Sequence, residues 1–218
     1  MKKDFWLERW EHEEIGFNQV EVNSHLRQYW PTLNLKPYSE VFVPLCGKSI
    51  DMLWLRKQGH SVLGVELSDI AVQAFFKENG CTPNQVTHKI FHACEAGGIR
   101  ILCGDFFDLN KDGLAKVTAV YDRAAMIALP PLMRERYVKH LVSIVPPATK
   151  ILLITFDYAQ AEMSGPPFSV SADEVESLYG KHAEIRLLAE LDVLAQNLRF
   201  QERGLSRLKE KTYLITLR

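Results

Sequence analysis

The chain has 218 residues, 47% hydrophobic and 24% charged, the balance of a single globular domain with a core of its own. Its 26 basic and 27 acidic residues leave a formal charge of −1, and no local basic stripe offsets this, which excludes electrostatic binding of nucleic acid. The stretch from Met1 to Trp10 is charged throughout and no apolar run approaches the ~20 residues of a bilayer span, so a cytoplasmic protein with no membrane partner is expected.

The N-terminal residues 1–37 read as helical. Phe5, Trp6, Leu7 and Trp10 recur at helical spacing, a second apolar stripe takes in Val22, Leu26 and Trp30, and Pro31 and Pro37 then break the chain. Val41 to Pro44 alternates as a first strand, Ser49 to Lys57 is a helix stopped near Gly59, and Ser61 to Glu66 is a buried strand. Ser68 caps a helix that ends at Gly80. Val86 to Cys103 is expected to hold two strands around Gly97-Gly98, the second being Ile99 to Cys103. Val117 to Tyr121 is another strand, Pro130 and Pro131 open a helix to about Ile144, and Lys150 to Phe156 is a fifth core strand. The capping box Ser171 to Glu174 starts a helix ending near Gly180, and Glu184 to Leu191 and Lys209 to Leu217 are the last strands, the latter antiparallel.

Strands spaced by helices imply a doubly wound α/β sheet, whose ligands sit outside the carboxyl ends of the strands. That rule gathers Pro44 to Ser49, Glu66, Asp105 and Asp122-Arg123 around one crevice. Taken alone, the turn Leu45-Cys46-Gly47 is a plain tight turn, since the full G-x-G-x-x-G is absent. Gly47-Lys48-Ser49 is no phosphate loop either, because Phe42 stands where that motif needs its first glycine. Glu66 ends the second strand 19 positions after Gly47, the place where nucleoside cofactors on this architecture find an acid for their ribose hydroxyls. Asp105-Phe106 has two readings: an adenine contact, or a helix cap beside a core aromatic. Arg123, flanked by apolar residues, needs a partner, either Asp122 or another internal acid, or a carboxylate of cofactor or substrate.

No metal site is expected: His88 and His92 have helical ligand spacing, but on a strand they stand roughly 13 Å apart. The four cysteines, Cys46, Cys81, Cys94 and Cys103, lack C-x-x-C spacing and read as reduced thiols.

The chain resembles the bacterial thiopurine S-methyltransferases. The resemblance rests on W-x-x-x-W at Trp6 and Trp10, G-F-N-Q at Gly16 to Gln19, V-F-V-P-L-C-G-K-S at Val41 to Ser49 and G-H-S-V-L-G-V-E at Gly59 to Glu66. F-F-D-L from Phe106, Y-D-R-A-A from Tyr121, G-P-P-F from Gly165 and the closing K-T-Y-L-I-T extend it. It implies a class I S-adenosylmethionine-dependent methyltransferase fold, one domain over residues 1–218 with a mostly parallel seven-stranded sheet and residues 1–37 as a helical lid. It also implies methyl transfer to thiopurines and other aromatic or heterocyclic thiols, or to selenium and tellurium compounds, by a monomer whose partner is that small-molecule thiol or metalloid acceptor. Carried over by motif position, Trp10, Leu45, Gly47, Glu66, Asp105, Phe106 and Arg123 would contact S-adenosylmethionine. Phe17, Arg123 and Arg199 would face the acceptor, with Asp122 as the acid to test for a base; the segment Gln196 to Ser206 departs from the family pattern. The other readings are a nicotinamide-dependent oxidoreductase, which the missing glycines oppose, and a non-catalytic protein that binds the cofactor or sequesters metalloids.

Overall fold

Helices and strands alternate because the apolar period alternates. The computed structural model describes residues 3–16, 18–88 and 90–218. Two N-terminal helices, α1 (Lys3–Glu11) and α2 (Ser24–Tyr29), precede β1 (Glu40–Pro44), α3 (Asp51–Lys57), β2 (Ser61–Glu66) and α4 (Asp69–Glu78). There follow β3 (Asn84–His88), β4 (Phe91–Ala96), β5 (Ile99–Cys103), α5 (Lys111–Leu114), β6 (Val117–Arg123), α6 (Pro131–Ile144) and β7 (Lys150–Asp157). Then come α7 (Ala172–Tyr179), β8 (Ala183–Asp192), α8 (Leu198–Glu202) and β9 (Lys209–Leu217).

The strands form one sheet in the order β3-β4-β5-β2-β1-β6-β7-β9-β8. β5, β2, β1, β6 and β7 run parallel, and β9 is antiparallel to both β7 and β8. The expected seven strands are the block from β5 to β8; the hairpin β3–β4 adds two more on the β5 edge. Val86 to Cys103 therefore holds parts of three strands, not two. The turn between β3 and β4 carries no glycine, proline, Asn or Asp, so nothing in the sequence marked it. Chain order reverses between β1 and β6, and the crevice of a doubly wound sheet opens at that switch point.

Both faces of the sheet are covered, which is why the central strands read as near-continuous apolar runs. With a period of two, Phe42, Val120, Leu153 and Ile215 face α6 and α7, packing on Tyr137, Leu141, Val175 and Tyr179. Val41, Val43, Tyr121 and Leu152 face the other way, onto Leu26, Trp30, Met52, Leu55 and Phe75. Each such fully buried side chain contributes about 1.5–3 kcal/mol of transfer free energy, so the core outweighs any single cap or ion pair. Helix starts follow the sequence signals: Ser68 Oγ accepts from Ala71 N, and Ser171 Oγ accepts from Glu174 N. The second half of that capping box is spent elsewhere, because the Glu174 carboxylate ion-pairs with buried Arg134 of α6 at 2.7 Å. Cys46, Cys81, Cys94 and Cys103 are all free.

Candidate active site

A cavity of about 320 Å³ lies over the carboxyl ends of β1, β2, β6 and β7, a size within the range of small-ligand sites. Its floor includes Leu45, Gly47, Glu66, Arg123 and Ala124, and Trp6 and Trp10 of α1 close over it. The far end is lined by Phe156 of β7, Arg199 and Phe200 of α8, Arg203, and Glu210 of β9.

The turn after β1 is shaped around one acid. Gly47 takes φ +52°, a left-handed conformation that glycine adopts freely, and a Cβ there would come 3.2 Å from Cζ2 of Trp10. Gly47 N donates to Glu66 Oε2 at 2.8 Å and Ser68 N donates to Oε1 at 2.9 Å. Glu66 is 7% exposed, and burial pushes its pKa up while these backbone N–H groups pull it back. The carboxylate is thus pinned at the cavity edge without a cationic side chain. Leu45 has φ +48°, and Ala124, at the end of β6, has φ +68°. A left-handed Leu or Ala costs about 1–2 kcal/mol, so two strained residues line this one cavity.

Asp122 and Arg123 part company at the end of β6. Asp122 is fully buried: Tyr137 OH donates to Oδ2 at 2.7 Å and Met126 N to Oδ1 at 3.1 Å. Burial raises its pKa to about 6 against the opposing hydrogen bonds. Its carboxylate is engaged in the core, so the acid singled out for a test as base stands apart from the cavity lining. Period-two alternation sends it to the α6 side. Arg123 does line the cavity, and its internal acid is Asp51 of α3, at 3.8 Å, rather than Asp122. Asp51 also accepts from Tyr121 OH at 2.8 Å and from Asn23 N at 2.9 Å, which ties α2, α3 and β6 together beneath the site.

Asp105 and Phe106 stand outside the cavity lining. Phe106 packs in the core against Tyr137, with ring centroids 4.8 Å apart, and Asp105 accepts from Phe107 N at 2.9 Å while pairing with Lys3 of α1 at 2.7 Å. The cap and the core-aromatic contact of the second reading are both present, and neither residue lines this cavity. Trp10, Leu45, Gly47, Glu66, Arg123 and Arg199 are brought together there. Arg199 Nη1 donates to Gly16 O, joining α8 to the segment after α1, and burial and Arg203 lower its pKa. Phe17 lies outside the described residues.

Sequence reasoning missed Ala124, Phe156, Arg203 and Glu210. Ala124 follows Arg123 directly and strand-end logic could have found it. Glu210 sits in K-E-K-T-Y-L, which reads as plain alternating strand. Among the described residues no group of three or more His, Cys, Asp or Glu is placed to hold a metal ion.

The arrangement fits a sulfonium nucleoside. Gly47 leaves room beside Trp10, Glu66 presents a carboxylate suited to paired hydroxyls, and Arg123 offers a planar fork to a carboxylate. The comparisons agree. The chain aligns with the family model described as thiopurine S-methyltransferase over residues 1–218. It is 62% identical to a thiopurine S-methyltransferase of Nitrosospira multiformis, covering 100% of this chain and 99% of the relative. It is 48% identical to one of Azotobacter vinelandii with both chains covered completely (100%). Among solved structures, a Burkholderia thailandensis 1,6-didemethyltoxoflavin-N1-methyltransferase with bound S-adenosylhomocysteine superposes with a TM-score of 0.65 at 13% identity, covering 99% of this chain and 87% of that one, which shows the fold. The chain belongs to the thiopurine S-methyltransferase family and is accordingly an enzyme, a methyltransferase with S-adenosylmethionine as its methyl donor.

Proposed function

We propose that this enzyme methylates the sulfur of thiopurines and of other aromatic or heterocyclic thiols, and that the same cavity accepts selenium and tellurium nucleophiles. The observation that carries the reading is the makeup of the cavity: Trp6, Trp10, Phe156 and Phe200 supply flat apolar walls, while Arg123, Arg199 and Arg203 supply fixed positive charge. Planar, polarisable acceptors that carry or develop a negative charge match both features.

S-adenosylmethionine supplies an activated methyl group on a sulfonium sulfur. The protein holds, orients and dries. Glu66 accepts hydrogen bonds from ribose hydroxyls, and Arg123, loosely paired with Asp51, orients a carboxylate or the acceptor. Alignment of this kind contributes roughly 7–11 kcal/mol in favourable cases. The lid is α1, which brings Trp6, Arg9 and Trp10 over the cavity with the Lys3–Asp105 pair at its start, whereas Leu26, Trp30 and Leu33 of the expected 1–37 lid are packed in the core. No helix among the described residues is long and apolar enough to cross a membrane; the working state we propose is a cytoplasmic monomer.

Transfer of radiolabelled methyl to a panel of thiopurines, aromatic thiols, selenite and tellurite tests the reading. Labelled product with at least one aromatic or heterocyclic thiol is expected. If the protein binds S-adenosylmethionine yet labels no thiol in the panel, the acceptor assignment is wrong.

A further inference from the structure

Among the polar groups of the cavity lining that neither the cofactor end nor the Arg-lined wall uses is the carboxylate of Glu210. Glu210 stands second in β9, in register with Phe156 of β7, and lines the cavity at the end away from Glu66. Four strand spacings separate β2 from β9, roughly 19 Å at ~4.8 Å each, so the two acids mark opposite ends of one crevice.

Behind Glu210 lies a buried histidine. His25 of α2 is 4% exposed; its Nε2 sits 3.1 Å from Glu210 Oε2, and its Nδ1 sits 2.5 Å from Thr212 Oγ1. Glu210 and Thr212 share one face of β9 by strand alternation, so both ring nitrogens of His25 are engaged by the same strand. That arrangement fixes the Glu210 rotamer from behind. Its other oxygen, Oε1, receives no hydrogen bond from the described residues. The charged and titratable groups around it are His25 from α2, Tyr121 and Arg123 from β6 with Asp51 of α3 beyond them, and Arg199 and Arg203 along the same wall.

We infer that Glu210 is the acceptor-side proton acceptor, which recognises the ring N–H of a heterocyclic thione and takes that proton as sulfur is methylated, with His25 as its positioning residue. The inference rests on the cavity being the methylation site for such acceptors. A heterocyclic thione carries N–H next to C=S. Its sulfur forms the new S–CH3 bond, and the old bond from methyl to the donor's sulfonium sulfur breaks with the electron pair staying on that sulfur. The N–H pair closes the ring C=N while the proton moves to Glu210. One positive and one negative charge are consumed, and a neutral thioether, a neutral donor product and a protonated carboxyl remain. An aromatic thiol without ring N–H, already ionised in water near neutral pH, needs no such partner. The carboxylate therefore sets acceptor class as well as rate.

The experiment compares 6-mercaptopurine with thiophenol on the full chain. Glu210→Gln is expected to lower the ratio of kcat/KM for the thione to that for thiophenol about a hundredfold, the lower range of a general base. His25→Gln is expected to lower it about tenfold and to displace the pH profile of the thione reaction, which loss of packing alone would not do. Without cofactor, the near-ultraviolet absorbance of bound 6-mercaptopurine should report an ionisation midpoint that differs between the native protein and Glu210→Gln. Equal losses with both acceptors, together with an unchanged midpoint, overturn the inference and leave Glu210 structural. If the native protein methylates neither acceptor, the proposed methylation reading falls and the proton-transfer step with it, while a midpoint that still depends on Glu210 leaves its recognition of the ring N–H standing.

Discussion

Two strand ends of this sheet carry a buried acid, and they use it in opposite ways. At the end of β2, Glu66 is held by the backbone N–H groups of Gly47 and Ser68 and faces the cavity. At the end of β6, Asp122 is held by Tyr137 and Met126 and faces the core. Burial raises the pKa of both. A strand-end acid is therefore not a site residue by position or by perturbed titration alone. What separates the two is where their partners lie: Gly47 and Ser68 hold Glu66 at the crevice, whereas strand alternation turns Asp122 toward Tyr137 and the core.

The largest effect expected from this contrast is on the cofactor. Glu66→Ala removes a hydrogen-bonding carboxylate and leaves the Gly47 and Ser68 N–H groups without their acceptor. Bonds to charged groups contribute about 1.5–3 kcal/mol each, so S-adenosylmethionine affinity by calorimetry should fall at least a hundredfold. Affinity within threefold of the native protein would remove Glu66 from the site.

Asp122→Asn is the matching test at β6. The carboxyl has an ordinary value of 3.8 and a folded value of about 6, so the folded state binds more protons than the unfolded state between these limits. Stability from this group is thus full below about pH 4 and is lost as pH rises toward 6, by about 3 kcal/mol at most. Urea unfolding from pH 4 to 7 should show the variant gaining on the native protein as pH rises, with cofactor affinity unchanged. A selective loss of turnover at constant affinity would instead return Asp122 to the chemistry.

These two acids also show how much the sequence discloses. The alternation of apolar runs with Ser68, Pro131 and Ser171 start signals placed the helices and the parallel strands closely, because each signal is local. Glu66 was legible for the same reason, through its spacing from Gly47 and its place after a buried run. Asp122 was adjacent to Arg123 and only strand alternation separates their destinations. Glu210 and His25 lie 185 positions apart and meet because β9 inserts beside β7, a pairing no local pattern encodes. Phe106 was balanced between pocket and core, and it went to the core because Phe42 and Tyr137 complete an aromatic cluster there.

Gly47→Ala sharpens the comparison at the β1 turn, with a smaller effect. The left-handed backbone costs an L-residue about 1–2 kcal/mol, and the added Cβ, 3.2 Å from the Trp10 ring, forces that ring to move. Stability in urea should drop by about that amount, and cofactor affinity should drop with it because the donor to Glu66 and the Trp10 cover shift together. A stability loss with affinity intact would separate the turn from the cofactor.

The smallest effect sits beside Arg123. Ala124 holds φ +68° next to Arg123, which lines the cavity and pairs with Asp51. Glycine there relieves about 1–2 kcal/mol of strain but widens the unfolded ensemble by about 0.4–1 kcal/mol, so Ala124→Gly should gain about 0.5 kcal/mol in urea. The same change loosens the backbone that aims the guanidinium, and kcat should fall severalfold. Strain kept at a site because it positions a charge predicts this exchange of stability against turnover. If stability and turnover rise together, the left-handed alanine has no positioning role and the β6 end owes its geometry to Asp51 alone.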